Sequence, residues 1–220
     1  MRSTFTGVIV FIFAFAGLFY GKAAIAEQGT AGHNHIGHVM DKWNDTPDMV
    51  GLLPAAIAEA RIAAQHASLA AKDPSDLAAM QRHTAHVLHA VDPTQIENGP
   101  GQGYGVKQAA EGAAKHIMAA ANSDGASGAI KTHATHVSTS AQNSATRADE
   151  IVALAKRIAM ASTASAASSL VAELNTLAQQ LLSGNDANGD GRTGWQEGEG
   201  GIEQAQTHLD LMKRGEGIGN

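Results

Sequence analysis

Residues 54–71 read "PAAIAEARIAAQHASLAA", and this stretch settles the class of the fold. Alanine has the highest helix propensity of any residue, whereas strands select the β-branched and aromatic side chains that are scarce here. Pro54 suits a first helical turn, and the segment predicts a helix running to about Ala71. Asp73 as a cap and Pro74 at the first helical position open a second helix, which "DP" at 92–93 stops after Val91. The glycine-rich stretch "PTQIENGPGQGYG" (93–105) reads as a linker or a functional loop. Helices are predicted again from about Val106 to Ala121 and, as one long helix, from about Ala126 to Ala161, with "STSAQNS" (138–144) as the one place where it could be interrupted. "SLVAELNTLAQQLL" (169–182) and "GIEQAQTHLDLMKR" (201–214) supply two more. No stretch reads as a strand. The class is all-α, a helical bundle.

Internal repetition organises the bundle. "AAQHASLAA" (63–71) matches "AAKHIMAAA" (113–121), and "HTAHV" (83–87) matches "HATHV" (133–137), each displaced by fifty residues. Each unit reads as a helical hairpin with one histidine on its first helix and a pair on its second. "HIGHV" (35–39) looks like half of a further unit.

Residues three and four apart share one face of a helix, so His83 sits in a stripe with Met80 and Val87, and His133 in one with Ile130 and Val137. These imidazoles point towards neighbouring helices. Two imidazoles one turn apart, joined by a third from the hairpin partner, make a set suited to Zn²⁺, Cu²⁺ or Ni²⁺. The expected sets are His66/His83/His86 and His116/His133/His136, with His35 and His38 completing either set or joining the two. His33 and His89 lie near enough in sequence to contribute, and Met80 and Met118 would serve as soft ligands if the metal is copper. A lone helical histidine is usually a solvated or core residue. The repeated register is what argues for ligation.

The N-terminus reads as a secretory signal over residues 1–26: Arg2, the apolar run "GVIVFIFAFAGLFY" (7–20), then Ala24, Ile25 and Ala26 as a small-x-small cleavage pattern. The mature chain would start near Glu27, periplasmic or secreted, with no membrane span. From there the charge balance falls to about −8 with neutral histidines, which offers no electrostatic footprint for nucleic acid and is compatible with binding cations. With no cysteine, disulfides, covalent c-type haem and thiolate metal sites are excluded. The aromatic residues left after the signal are Trp43, Tyr104 and Trp195.

"DANGDGRTGWQE" (186–197) carries a different chemistry. Asp186, Asn188 and Asp190 alternate as oxygen donors, Gly191 permits a tight turn, and Glu197 closes the stretch. Over all twelve positions it resembles an EF-hand calcium loop. The resemblance implies Ca²⁺ bound by Asp186, Asn188, Asp190, the backbone carbonyl of Arg192 and a bidentate Glu197, with a water at Gly194. Thr193 departs from the aliphatic residue usual at the eighth position, and "GEGG" (198–201) delays the exit helix. A second loop to pair with is not found in the chain, so pairing would call for a homodimer. Residues 54–160 are similar, more in composition than in motif, to the histidine-rich small metal-binding helical proteins of the bacterial periplasm, which implies binding of divalent metals, copper among them.

These features divide the chain into the signal (1–26), a histidine-bearing bundle (27–162) and an EF-hand-like C-terminal segment (163–220) packed on it. The expected function is metal buffering or delivery without catalysis. No HExxH is present, and Glu59 and Glu111 precede His66 and His116 at spacings of seven and five rather than in the Glu-x-x-His of di-iron bundles. The alternatives are a b-type haem electron carrier, which would need an apolar pocket where this chain offers alanine and glycine, and a non-catalytic interaction module stabilised by calcium.

Overall fold

The computed structural model describes residues 31–218, so the expected signal segment lies outside the described residues. Within them the chain forms seven α-helices and no strand: α1 (Ala31–Met40), α2 (Leu52–Ala70), α3 (Leu77–Val91), α4 (Val106–Ala121), α5 (Gly128–Ala159), α6 (Ala164–Ser183) and α7 (Ile202–Glu216). The all-α bundle expected from alanine content and punctuation is the fold. None of these helices is long and apolar enough to cross a membrane.

Local details differ from the sequence expectation for identifiable reasons. Asp76, not Asp73, caps α3, accepting the Ala79 N–H at 2.8 Å. Asp73 instead accepts the N–H (2.9 Å) and hydroxyl (2.6 Å) of Ser75, an Asx turn that holds Pro74 outside the helix. The long helix expected over 126–161 is α5, and it runs without interruption at "STSAQNS". Its polar run stays helical because the side chains find partners: Ser144 donates to the Leu181 carbonyl at 3.1 Å, and Asn143 and Arg147 engage the loop before α7.

Alanine stripes let the helices approach closely. Ala60, Ala63 and Ala67 on α2, and Ala109, Ala113 and Ala120 on α4, are completely buried. Larger side chains such as Leu53, Ile117, Ile151 and Leu174 fill the seams between them. Two clusters of buried residues result. One gathers α1, most of α4, the start of α2, the first half of α5 and α7; the other gathers the rest of α2, α3, α6 and the second half of α5. The 32-residue α5, about 48 Å long at 1.5 Å per residue, is the spine through both. The C-terminal helices thus join different clusters, α6 the second and α7 the first.

The glycine-rich segment is fastened to α2. Buried Glu59 accepts the N–H groups of Gln102 and Tyr104 at 3.0 Å and of Gly105 at 3.3 Å through one carboxylate oxygen. Gly105 has φ +87°, and a β-carbon there would overlap Pro93, so glycine is required on both counts.

Candidate metal centres

Each pair helix presents the same register. Relative to its first histidine, the residues one and four positions on are buried: Ile36 and Val39 on α1, Thr84 and Val87 on α3, Ala134 and Val137 on α5. Both histidines of each pair flank that stripe and are half-buried. The helices bearing a lone histidine repeat the pattern. Ala63 and Ala67 bracket His66 on α2, Ala113 and Ile117 bracket His116 on α4, and Ala205 and Leu209 bracket His208 on α7, all fully buried. The buried stripe locks each helix in rotation, which aims the imidazoles along the seam between helices.

Three sets result: His35/His38/His116, His66/His83/His86 and His133/His136/His208, each with its ligand atoms within 4.8 Å of one another. In every set the lone histidine faces both members of the pair through Nδ1. His116 Nδ1 lies 3.1 Å from His35 Nδ1 and 3.3 Å from His38 Nδ1. His66 Nδ1 lies 3.1 Å from His83 Nδ1 and 3.3 Å from His86 Nδ1. His208 Nδ1 lies 3.3 Å from the Nδ1 atoms of both His133 and His136. Nitrogens held about 2.0–2.1 Å from one ion at a tetrahedral angle stand about 3.3–3.4 Å apart. The two contacts made by the lone histidine in each set are within a few tenths of an ångström of that figure.

His66/His83/His86 is therefore the set the repeat predicts, closed within the α2–α3 hairpin. His116/His133/His136 is not formed. His116 meets the pair on α1, and the pair on α5 meets His208 on α7. The same register explains the change: α1 packs on α4 and α7 on α5, and each brings the half-set that the α4–α5 hairpin lacks. His35 and His38 complete a set of their own rather than joining two others. His208 was passed over in the sequence, although "AQTH" (205–208) repeats the spacing of "AAQH" and "AAKH" from a buried alanine to the histidine.

His33 and His89 lie outside these sets. His33 Nε2 bonds Glu216 at 3.1 Å, tying α1 to the end of α7, and His89 Nδ1 donates to the Pro100 carbonyl at 2.9 Å, tying α3 to the glycine-rich loop. Met80 is fully buried in the second cluster, and Met118 packs against the first.

Burial holds His66, His83, His116 and His136 below the ordinary histidine range, with neighbouring positive charge adding to the effect. Burial, then the charges of His136 and His133, pushes His208 down to about 4. Its Nε2 is buried without a hydrogen-bond partner, so the ring's polar contacts all run through Nδ1. Neutral imidazole is the form that ligates metals.

The acidic loop folds on itself. Asp186 accepts the N–H groups of Gly189 (2.7 Å), Asp190 (3.1 Å) and Gly191 (2.8 Å), and Asp190 accepts that of Arg192 (2.9 Å). The histidine sets are the only groups of three metal-capable side chains gathered within 4.8 Å among the described residues, so Asp186, Asp190 and Glu197 do not converge as a ligand set here. Glu197 lines a cleft with Asn143, Arg147 and Glu150 instead. The C-terminal end of the loop is seated on α5. Buried Arg147 donates to the carbonyls of Gly198 (2.7 Å), Glu199 (2.8 Å) and Gly200 (3.0 Å), and Asn143 bonds Gln196 O (2.7 Å) and the Gly198 N–H (2.9 Å).

No family model, curated protein or solved structure matches the chain.

Proposed function

We propose that the protein is a non-catalytic, exported metal-binding bundle that holds transition-metal ions at three histidine sets, for buffering or delivery. The observation that carries this reading is the threefold recurrence of one geometry, a lone Nδ1 facing two others at 3.1–3.3 Å. A neutral Nδ1 offers either one proton or one lone pair, so it makes a well-aligned hydrogen bond with one neighbour and leaves its contact with the second unsatisfied. A cation at the centre satisfies all three nitrogens at once. A single ion fits this arrangement better than haem, since a lone nitrogen 3.1–3.3 Å from both members of its pair leaves no gap for a porphyrin plane between them.

We further propose that the loop at 186–197 takes one Ca²⁺ in the EF-hand manner. The support is its sequence pattern and the turn that Asp186 already organises; Glu197 would have to swing in from its cleft to complete the set. Such a site would be weak, with Kd on the order of 10⁻⁴–10⁻³ M, in the range of extracellular modules.

The test is elemental analysis and an absorption spectrum of the full chain purified from its native compartment. The expected result is near-stoichiometric transition metal and no Soret band, with the metal lost from a His66→Ala/His116→Ala/His208→Ala variant. A metal-free wild type that also fails to take up added Zn²⁺ or copper would sink the reading. For the loop, calorimetric titration of Ca²⁺ should give one site, abolished by Asp186→Ala.

A further inference from the structure

The acidic loop and the third histidine set share one face of α5. His136, Ser140, Asn143 and Arg147 stand four, three and four residues apart, which puts them in a single stripe. Each meets the segment that ends the loop. Trp195 stacks on His136, with ring centroids 3.9 Å apart and an interplanar angle of 19°. Ser140 lies so close to Gly200 that a β-carbon there would overlap its hydroxyl. Asn143 bonds the residues on either side of Glu197, Gln196 and Gly198. Arg147 holds both stems of the loop, donating to the Asn185 side chain at 2.6 Å as well as to the carbonyls of residues 198–200. Trp195 itself sits between two anchored neighbours: the Gly194 N–H donates to buried Glu199 at 2.8 Å, and Asn143 holds the Gln196 carbonyl.

Resting on the metal-binding and calcium readings above, we infer that the two kinds of ion are antagonistic at one set of the three. Ca²⁺ taken up by the loop at 186–197 weakens His133/His136/His208 through Trp195, and leaves His35/His38/His116 and His66/His83/His86 unaffected.

The physical reason is that one segment cannot serve both sites at once. In the structure His208 Nδ1 already faces both members of its pair, with Trp195 on His136, while Glu197 lines its cleft on α5. Bringing the Glu197 carboxylate to Asp186 and Asp190 turns the chain between Gln196 and Gly198 and gives up the Asn143 bonds on both sides. Trp195, one residue before Gln196, moves with it. The indole packs His136 from outside the set, so its departure frees that imidazole to rotate away from His208. Groups that orient a ligating histidine contribute about ten- to a hundredfold to metal affinity. Linkage makes the effect reciprocal: metal at this set keeps Trp195 seated and weakens Ca²⁺ by the same factor. The other sets lack this connection. Aromatic contacts at His66/His83/His86 run among its own imidazoles, and Trp43 at His35/His38/His116 comes from the segment after α1.

The test is Zn²⁺ titration against a competing chelator in two full-length variants, each with and without about 10 mM Ca²⁺, above the range expected to fill the loop. His66→Ala/His116→Ala keeps the third set complete, and calcium should weaken its Zn²⁺ binding by about tenfold. His208→Ala keeps the other two sets, and calcium should leave their affinity unchanged. Adding Asp186→Ala to the first variant should erase the calcium effect. Adding Trp195→Ala instead should lower its Zn²⁺ affinity by about tenfold without calcium and leave calcium nothing further to weaken. Calorimetry reads Ca²⁺ binding directly. Ca²⁺ that binds yet leaves Zn²⁺ at the third set unchanged or tighter, or weakens all three sets alike, overturns the antagonism while both binding readings stand. Ca²⁺ that does not bind overturns the calcium reading and the antagonism with it. Loss of Zn²⁺ binding from both variants overturns the metal-binding reading itself.

Discussion

The α2–α3 and α4–α5 hairpins carry histidines at the same intervals, with the pair 17 and 20 residues after the lone residue, and put them to different use. Their turns are the same length, since residues 71–76 and 122–127 each separate two helices by six positions. The first hairpin closes its three imidazoles on one another. The second opens outward, His116 to α1 and His133/His136 to α7. Turn length and register cannot cause this difference because they are shared. What differs is the company: α4 and α5 each pack against a helix that carries the complementary half-set. A duplicated motif copies the direction in which a side chain points, and the neighbour on that face decides what it meets.

The sharpest way to break this comparison is His116→Ala. If the α4–α5 hairpin worked like α2–α3, the variant would damage the site that uses His133 and His136. We expect the opposite: metal retained by the full chain falls by one site, His35→Ala/His38→Ala produces the same loss, and the two effects do not add. Binding at His133/His136/His208 should be unchanged, as read by quenching of Trp195.

A second experiment sharpens the same contrast through stability. A ligand that binds only the folded chain stabilises it by about 2.7 kcal/mol at a hundredfold excess over Kd. At the two outward sites that gain joins α1 to α4 and α7 to α5, whereas at the closed hairpin it joins helices already linked by a short turn. Hydrogen exchange should therefore slow on metal loading most in α1 and α7, and least in α2 and α3. Equal protection across these four helices would remove the distinction between the sites.

The smallest effect concerns pH in the metal-free chain. Imidazoles held below their ordinary value bind fewer protons in the fold than in the unfolded chain, so acid favours unfolding. Their stability contribution is whole above the unfolded value of 6.5 and declines as pH falls towards about 4, where His208 protonates in the fold as well. Urea midpoints measured between pH 7 and 4 should fall across that window. His208→Gln should flatten the decline more than His66→Gln, because burial lowers His208 furthest.

Much of the architecture was legible in the chain. The helix over 54–71 follows from alanine propensity, and α4 over Val106–Ala121 is bounded where glycine and "NSDG" said it would be. The run "STSAQNS" left the continuity of the long helix open, because serines and asparagine favour breaks when no partner is visible. In the fold this face of α5 receives the loop that ends at Gly200, and the polar groups are satisfied there. His89 is a similar case, a histidine beside a pair whose partner proved to be the Pro100 carbonyl.

The sequence by itself determined that the helices form and which face of each carries its imidazoles, because propensity and the 3.6-residue period are local properties. It also determined which residues belong to the half-sets, including His208, whose spacing from Ala205 was there to be read. Only the tertiary structure decided which half-set meets which, and placed Trp43 and Trp195 on two of the three sets. The physical reason is that pairing depends on which helices share a seam. That choice is made by buried surface summed over whole helices, not by the few residues that carry the chemistry.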